Sequence, residues 1–310
     1  MIKAFIQAAR LRTLPLSVSG IIVGCGLANY CNYEHSEGLI KLISNCNHNY
    51  LIFILAILTT IGLQVLSNFA NDYGDGIKGT DANRQGEKRL VAAGIISAKQ
   101  MRTAVIITAV ITFTLALALI YIAFKNDFIY TIVFVVLGLA SIAAAIKYTV
   151  GNSAYGYSGF GDVFVFLFFG LLSVVGSYFL FTKHINIAIF LPGISIGMLS
   201  TAVLNLNNLR DREEDKKNNK NTLVVKFGSD KAKKYHYFLI IGALASALLY
   251  VFLDFKSLYQ LIFLVSFVPL IKNIKTVAQN KVLGLNDILK TIEKAKNDER
   301  IKGIYLDLSS

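Results

Sequence analysis

The chain has 310 residues, 55% of them hydrophobic and only 16% charged, with a formal charge of +12. So apolar a composition excludes a soluble domain and places the chain among polytopic membrane proteins. Cys25, Cys31 and Cys46 form no C-x-x-C pair, and the four histidines have no metal-ligand spacing, so neither a disulfide framework nor a His- or Cys-based metal site is indicated.

Residues 1–13 are basic and amphipathic, with Lys3, Arg10 and Arg12. The apolar run Leu14–Tyr30 follows, with Pro15 at its opening turn. It lacks an A-x-A cleavage site and further spans follow, so it reads as a first span rather than a signal peptide. Further runs lie near 50–69, 103–124, 127–146, 163–182, 186–206, 235–253 and 257–274, each long enough to cross a bilayer. The expected fold is therefore an all-α polytopic membrane protein of about eight transmembrane helices. With the N-terminus cytoplasmic, inside segments carry 22 Lys and Arg and outside loops carry 4, with 5 more after residue 285. That bias fixes the orientation. It also accounts for the net charge with no nucleic-acid partner.

Two acidic stretches end apolar runs. The first is Asn68-Phe69-Ala70-Asn71-Asp72-Tyr73-Gly74-Asp75, in which Asn68, Asp72 and Asp75 share a helix face at i, i+4, i+7. The second holds Asn207, Asn208, Asp211 and Asp215. Asn68 and Asp72 parallel Asn207 and Asp211 at an offset of 139 residues, and Val65-Leu66 parallels Val203-Leu204 at 138. Four spans separate them, so the chain reads as two related four-helix halves whose acidic ends face one another at the cytoplasmic side. The plain alternative is a pair of ordinary polar helix ends. Carboxylates at a membrane helix end are costly unless they bind something.

Mg²⁺ takes oxygen ligands and is usually held by one or two carboxylates plus substrate phosphates. Asp72, Asp75, Asp211 and Asp215 are the expected metal ligands, with Asn68, Asn207 and Asn208 as neutral oxygens. Arg84, Lys88 and Arg89 follow the first motif, and Arg210 and Lys220 flank the second, as partners for a pyrophosphate. Gly74, Gly76, Gly79 and Gly86 are expected to make the first loop flexible. No G-x-x-x-x-G-K-[ST] occurs, so this is not a nucleotide P-loop. A cation-coupled transporter would carry ionisable groups inside its spans, and these spans are nearly free of them.

These residues resemble the UbiA-type intramembrane aromatic prenyltransferases, and within them the branch that prenylates 1,4-dihydroxy-2-naphthoate in menaquinone synthesis. The resemblance rests on residues 9–15 (ARLRTLP), 68–81 (NFANDYGDGIKGTD), 148–170 and 207–223, and runs from about residue 1 to 280. It implies a helical bundle with a cavity open to lipid, Mg²⁺ dependence, and a bacterial cytoplasmic (inner) membrane location. It also implies a polyprenyl diphosphate donor and loss of CO₂ from the acceptor; hydroxybenzoate and haem are the alternative acceptors within the family. The family's third acid of the first motif would fall at Gly79, with Asp81 two residues on, and Asn219 stands where the second motif usually has Gly. The resemblance makes loop 147–162 the acceptor loop. Tyr148 and Tyr155 would bond ring hydroxyls, Lys147 or Arg10 would pair a carboxylate, and Asp162 would accept a proton.

The family has nine spans where this chain offers eight. After about residue 281 the pattern becomes an amphipathic helix and then a strand, a short α/β-like tail. It resembles a fragment of the signal peptide peptidase (protease IV) family without its catalytic residues. The expected division is a prenyltransferase domain over 1–280 and a foreign or cytoplasmic tail over 281–310.

Overall fold

The computed structural model describes residues 1–33, 39–79, 89–125, 127–151 and 153–279. Asp81, Arg84, Gly86, Lys88 and the tail beyond 279 lie outside these. Among the described residues there are helices and turns and no strand. Helix α1 (Ile2–Ala9) ends at Arg10, which adopts left-handed φ 49°, and one 3₁₀ turn leads into α2 (Leu14–Tyr33). Pro15 sits in the first turn of α2, where a missing N–H costs no helical bond. Helix α3 (Leu39–Lys78) is followed by α4 (Ala98–Phe124), opened by a capping box between Ser97 and Gln100, and by α5 (Phe128–Lys147), capped by the Asp127 side chain.

Helix α6 (Gly161–Val165) passes through a π-helical segment, Phe166–Leu172, into α7 (Ser173–Thr182). Helix α8 (Phe190–Arg210) carries the second motif at its end. The short helices α9 (Arg212–Lys217) and α10 (Leu223–Phe227) lead to α11 (Ser229–Leu253) and α12 (Leu264–Gln279). Eight segments of the described chain are long and apolar enough to cross a membrane. They coincide with the runs expected from hydropathy, and the protein is a multi-pass membrane protein. Ile106, Ile107, Val110 and Ile111 on α4 and Ile132, Val133 and Val136 on α5 are exposed, as a lipid-facing surface requires.

The chain divides into two units, Met1–Phe267 and Val268–Ser310. The first contains every residue of the site. The described part of the second is helical, with Pro269 near its start.

Small residues let the helices of the first unit approach closely. A Cβ at Gly170 in the π-helical segment would lie 2.6 Å from the Gly193 carbonyl of α8. The first acidic motif departs from expectation. Instead of a flexible loop, α3 continues unbroken to Lys78. Gly74 and Gly76 serve contact: a Cβ at Gly74 would lie 2.9 Å from Thr149, and one at Gly76 2.6 Å from Val91. Of the three described glycines of this motif, Gly79, at φ 71°, is the one with the left-handed backbone that favours glycine.

Candidate active site

Each motif ends the second long helix of its four-span half, and the two ends meet at one cavity of about 430 Å³. Gln64, Asn68, Asn71 and Asp75 of α3 line one side, and Asn207, Asn208, Arg210 and Asp211 line the other. Arg10, Arg12, Arg89 and Lys220 also reach it. Its deeper wall is apolar, with Ile21, Leu119, Phe134, Phe168 and Leu172.

The four acids expected to act alike divide into two pairs. Asp75 and Asp211 line the cavity. Asp75 is 3% exposed, accepts a hydrogen bond from the Tyr157 hydroxyl at 2.7 Å and lies 3.6 Å from the Arg89 guanidinium. Asp211 receives two hydrogen bonds from Arg210, at 2.7 and 2.9 Å. Asp72 and Asp215 are not on the cavity wall. Asp72 accepts the Val91 N–H at 3.0 Å on one oxygen and the Leu90 N–H at 3.1 Å on the other, so it anchors the returning chain beside Arg89. Asp215 is paired with Lys220 at 3.2 Å, and it thereby holds a cation that does reach the cavity.

The amides are oriented by the N-terminal turn. Asn68 donates to the Ala9 carbonyl at 2.8 Å and to the Thr13 hydroxyl at 3.2 Å. Asn71 accepts from the Thr149 hydroxyl at 3.1 Å. Arg10 is held in its left-handed conformation where the chain hooks onto α3, the kind of local backbone strain that clusters at functional sites.

The aromatic loop is brought to the cavity in part. Tyr148 and Tyr155 line it, packed edge to face at 5.4 Å, and Tyr155 stacks on Phe164 at 3.9 Å. Burial raises both phenols above their ordinary range, Tyr148 further through the nearby charge of Asp162, so both stay protonated at neutral pH. The Tyr155 proton is already donated to the Ala144 carbonyl at 2.8 Å. Lys147 is exposed at the end of α5 and is not on the cavity wall. Asp162 is buried beside Tyr235 rather than in the cavity lining. Arg12, Asn71, Gln64 and Tyr157 join or support the site without having been singled out for it from the sequence. The i, i+4, i+7, i+11 spacing of Gln64, Asn68, Asn71 and Asp75 was the available signal for two of them.

The donor set suits a hard cation. Only oxygen donors converge, two carboxylates with side-chain amides between them, and among the described residues no three His, Cys, Asp or Glu gather as an all-protein metal cage. That matches a Mg²⁺ site completed by substrate phosphate oxygens. Among the described residues, five cations against two carboxylates leave the wall net positive, as an anionic substrate requires.

Residues 42–281 match the UbiA prenyltransferase family. A protein named 1,4-dihydroxy-2-naphthoate octaprenyltransferase from Escherichia coli (strain K12) is 42% identical over 278 residues, 89% of this chain and 85% of its own. One of the same name from Haemophilus influenzae is 44% identical, over 77% of this chain and 74% of its own. Among solved structures, a UbiA homologue from Archaeoglobus fulgidus bound to GPP and Mg²⁺ superposes with a TM-score of 0.59 at 16% identity, covering 97% of this chain and 90% of that one. It shares the fold.

Proposed function

The chain belongs to the UbiA prenyltransferase family, and from that membership we propose that it transfers a polyprenyl group from polyprenyl diphosphate to 1,4-dihydroxy-2-naphthoate, releasing diphosphate and CO₂ and giving demethylmenaquinone in its reduced, quinol form. The observation that carries this reading is the meeting of both acidic helix ends and five cations at one end of a cavity whose deeper wall is apolar.

Asp75 and Asp211, both on the cavity wall, are the proposed ligands that would hold Mg²⁺ against the diphosphate; the UbiA homologue of the same fold was solved with GPP and Mg²⁺. Bound there, Mg²⁺ would neutralise the charge that develops on the leaving diphosphate. Asn68, Asn71, Asn207 and Asn208 add neutral polar contacts, and Arg89, Arg210 and Lys220 pair with phosphate oxygens. Arg84 and Lys88, outside the described residues, belong to the same proposed set. Asp72 and Asp215 fix the segments that carry Arg89 and Lys220. As the allylic C–O bond breaks, the apolar wall excludes water from the carbocation. The ring carbon bearing the carboxylate attacks, a C–C bond forms, and loss of CO₂ restores the ring electrons. Arg10 and Arg12 line the cavity and suit the acceptor carboxylate. Asp162, behind Tyr148, is the proposed proton acceptor from the ring hydroxyls.

The protein works in the bacterial inner membrane with its N-terminus cytoplasmic, a reading supported by the 22-to-4 distribution of Lys and Arg. The catalytic domain runs to about residue 280, and 281–310 stands outside it; the family match ends at residue 281.

The test offers the purified protein polyprenyl diphosphate and Mg²⁺ with either 1,4-dihydroxy-2-naphthoate or 4-hydroxybenzoate. CO₂ release with the naphthoate and little prenylation of the benzoate is expected. Efficient prenylation of the benzoate without naphthoate turnover would overturn the acceptor assignment and leave the diphosphate site standing.

A further inference from the structure

Gln64 lines the cavity one turn deeper than Asn68, about 6 Å along the helix axis and about 16 Å from Asp75. It is 8% exposed, and its Oε1 is buried with no hydrogen-bond partner among the described residues. A buried carbonyl oxygen without a donor is costly, and native proteins keep few of them.

The orientation of this amide is fixed by its neighbours. The single hydroxyl proton of Thr13 goes to the Arg10 carbonyl at 2.9 Å. Thr13 Oγ1 can therefore only accept from other groups, and it receives Gln64 Nε2 at 3.0 Å and Asn68 Nδ2 at 3.2 Å. Turning the Gln64 amide over would set its oxygen against an oxygen that has no proton to give. The side chain is thus locked with its NH₂ on Thr13 and its oxygen directed away from it.

We propose that Gln64 Oε1 is the hydrogen-bond acceptor for a ring hydroxyl of the aromatic acceptor, and so a specificity-determining residue for hydroxylated arenes. The inference rests on the prenyl-transfer reading above and names how that site takes its second substrate. A phosphate offers this oxygen no proton at neutral pH, and a prenyl chain offers none at all. A phenol offers one. The position fits too, because Gln64 stands where the charged end of the cavity gives way to its apolar wall, with Arg10 and Arg12 on the adjoining turn for a carboxylate. A site that has placed an unpaired acceptor for a substrate hydroxyl discriminates strongly against an analogue lacking it.

The experiment compares wild type with Gln64→Leu and Gln64→Met, which keep the volume and remove the acceptor, and Gln64→Glu, which keeps an acceptor oxygen. KM is measured separately for the naphthoate and for polyprenyl diphosphate, together with the preference for the diol over each of its monomethyl ethers. Gln64→Leu and Gln64→Met should raise the naphthoate KM about tenfold to a hundredfold, leave the diphosphate KM within about twofold, and erase the preference against one of the two ethers. Gln64→Glu should retain more of that preference. Calorimetric binding of the naphthoate to wild type and Gln64→Leu gives the same comparison without turnover. An unchanged naphthoate KM and ether preference in the Leu and Met variants, or a rise confined to the diphosphate KM, overturns the proposal. Should wild type prenylate 4-hydroxybenzoate instead, the naphthoate assignment falls, and the Gln64 comparison runs unchanged on that phenol and its ether.

Discussion

Asp72 and Asp75 sit three residues apart and should fail in different ways when neutralised. Asp72 is 1% exposed and accepts two backbone N–H groups, from Leu90 and Val91. In Asp72→Asn one of its oxygens becomes an NH₂ facing an N–H. One charge-assisted hydrogen bond, of about 1.5–3 kcal/mol, is lost, and its donor is left facing another donor. A cost of about 2–4 kcal/mol follows, concentrated in the turn that starts at Arg89. Arg89 then loses its fixed place 3.6 Å from Asp75, so turnover should fall at least about 10²-fold, about 2.7 kcal/mol of transition-state stabilisation. Asp75→Asn should lose as much turnover, because it removes a carboxylate from the cavity wall itself, but Tyr157 can still donate to the amide oxygen and stability should change less. The assay is turnover, thermal melting in detergent and the midpoint of a Mg²⁺ titration, on both variants. Asp72→Asn should melt several degrees lower with a little-moved Mg²⁺ midpoint, and Asp75→Asn should show the reverse. An Asp72→Asn protein with wild-type melting and a raised Mg²⁺ midpoint would refute the anchoring role.

Tyr157→Phe removes the hydroxyl that donates to Asp75, and the loss of a hydrogen bond to a charged group should raise the Mg²⁺ requirement about tenfold while the fold melts as wild type. Lys183 lies beyond the end of α7 with its ammonium over the Phe124 ring at 4.4 Å, and burial lowers its pKa from 10.5 to about 8. The folded form therefore releases its proton at lower pH than the unfolded chain, so stability should rise as pH climbs from about 8 to 10.5; melting curves of wild type across that window should show a slope that Lys183→Met lacks. Deleting residues 285–310 should leave turnover per folded molecule unchanged, and a large loss of activity would show the tail to be part of the catalytic fold.

The spans were legible because a bilayer imposes one requirement, some twenty apolar residues, that the sequence displays directly. The finer assignment of the first motif was not. At 100° per residue, Asp72 lies about 40° to one side of Asn68, and Gln64 and Asp75 about 40° and 20° to the other. All fall within one face, so periodicity alone could not tell which acid meets the cavity and which meets the returning chain at Leu90–Val91. Lys147 shows the same limit. It adjoins Tyr148 in sequence, but one residue turns a helix by about 100°, and it emerges exposed while Tyr148 lines the cavity. Tyr157 was visible only as one of three loop tyrosines, since its bond to Asp75 spans 82 residues.

The two halves also part company where their motifs correspond. Asp72 and Asp211 occupy matching places in the repeat, but α3 runs on to Lys78 while α8 stops at Arg210. In the first half the unbroken helix keeps Asp72 against Leu90 and Val91, and Asp75, a turn further on, takes the cavity. In the second half the break at Asp211 resets the helical phase, so Asp211 meets the cavity and Asp215 turns to Lys220. Each half thus contributes one acid to the cavity and uses the other to hold a cation-bearing segment against it. A substrate that brings its own phosphate oxygens to a Mg²⁺ ion needs no more than two carboxylates from the protein. On the proposed reading the remaining two are of more use fixing Arg89 and Lys220, whose positive charge would have to be in place before a diphosphate leaves.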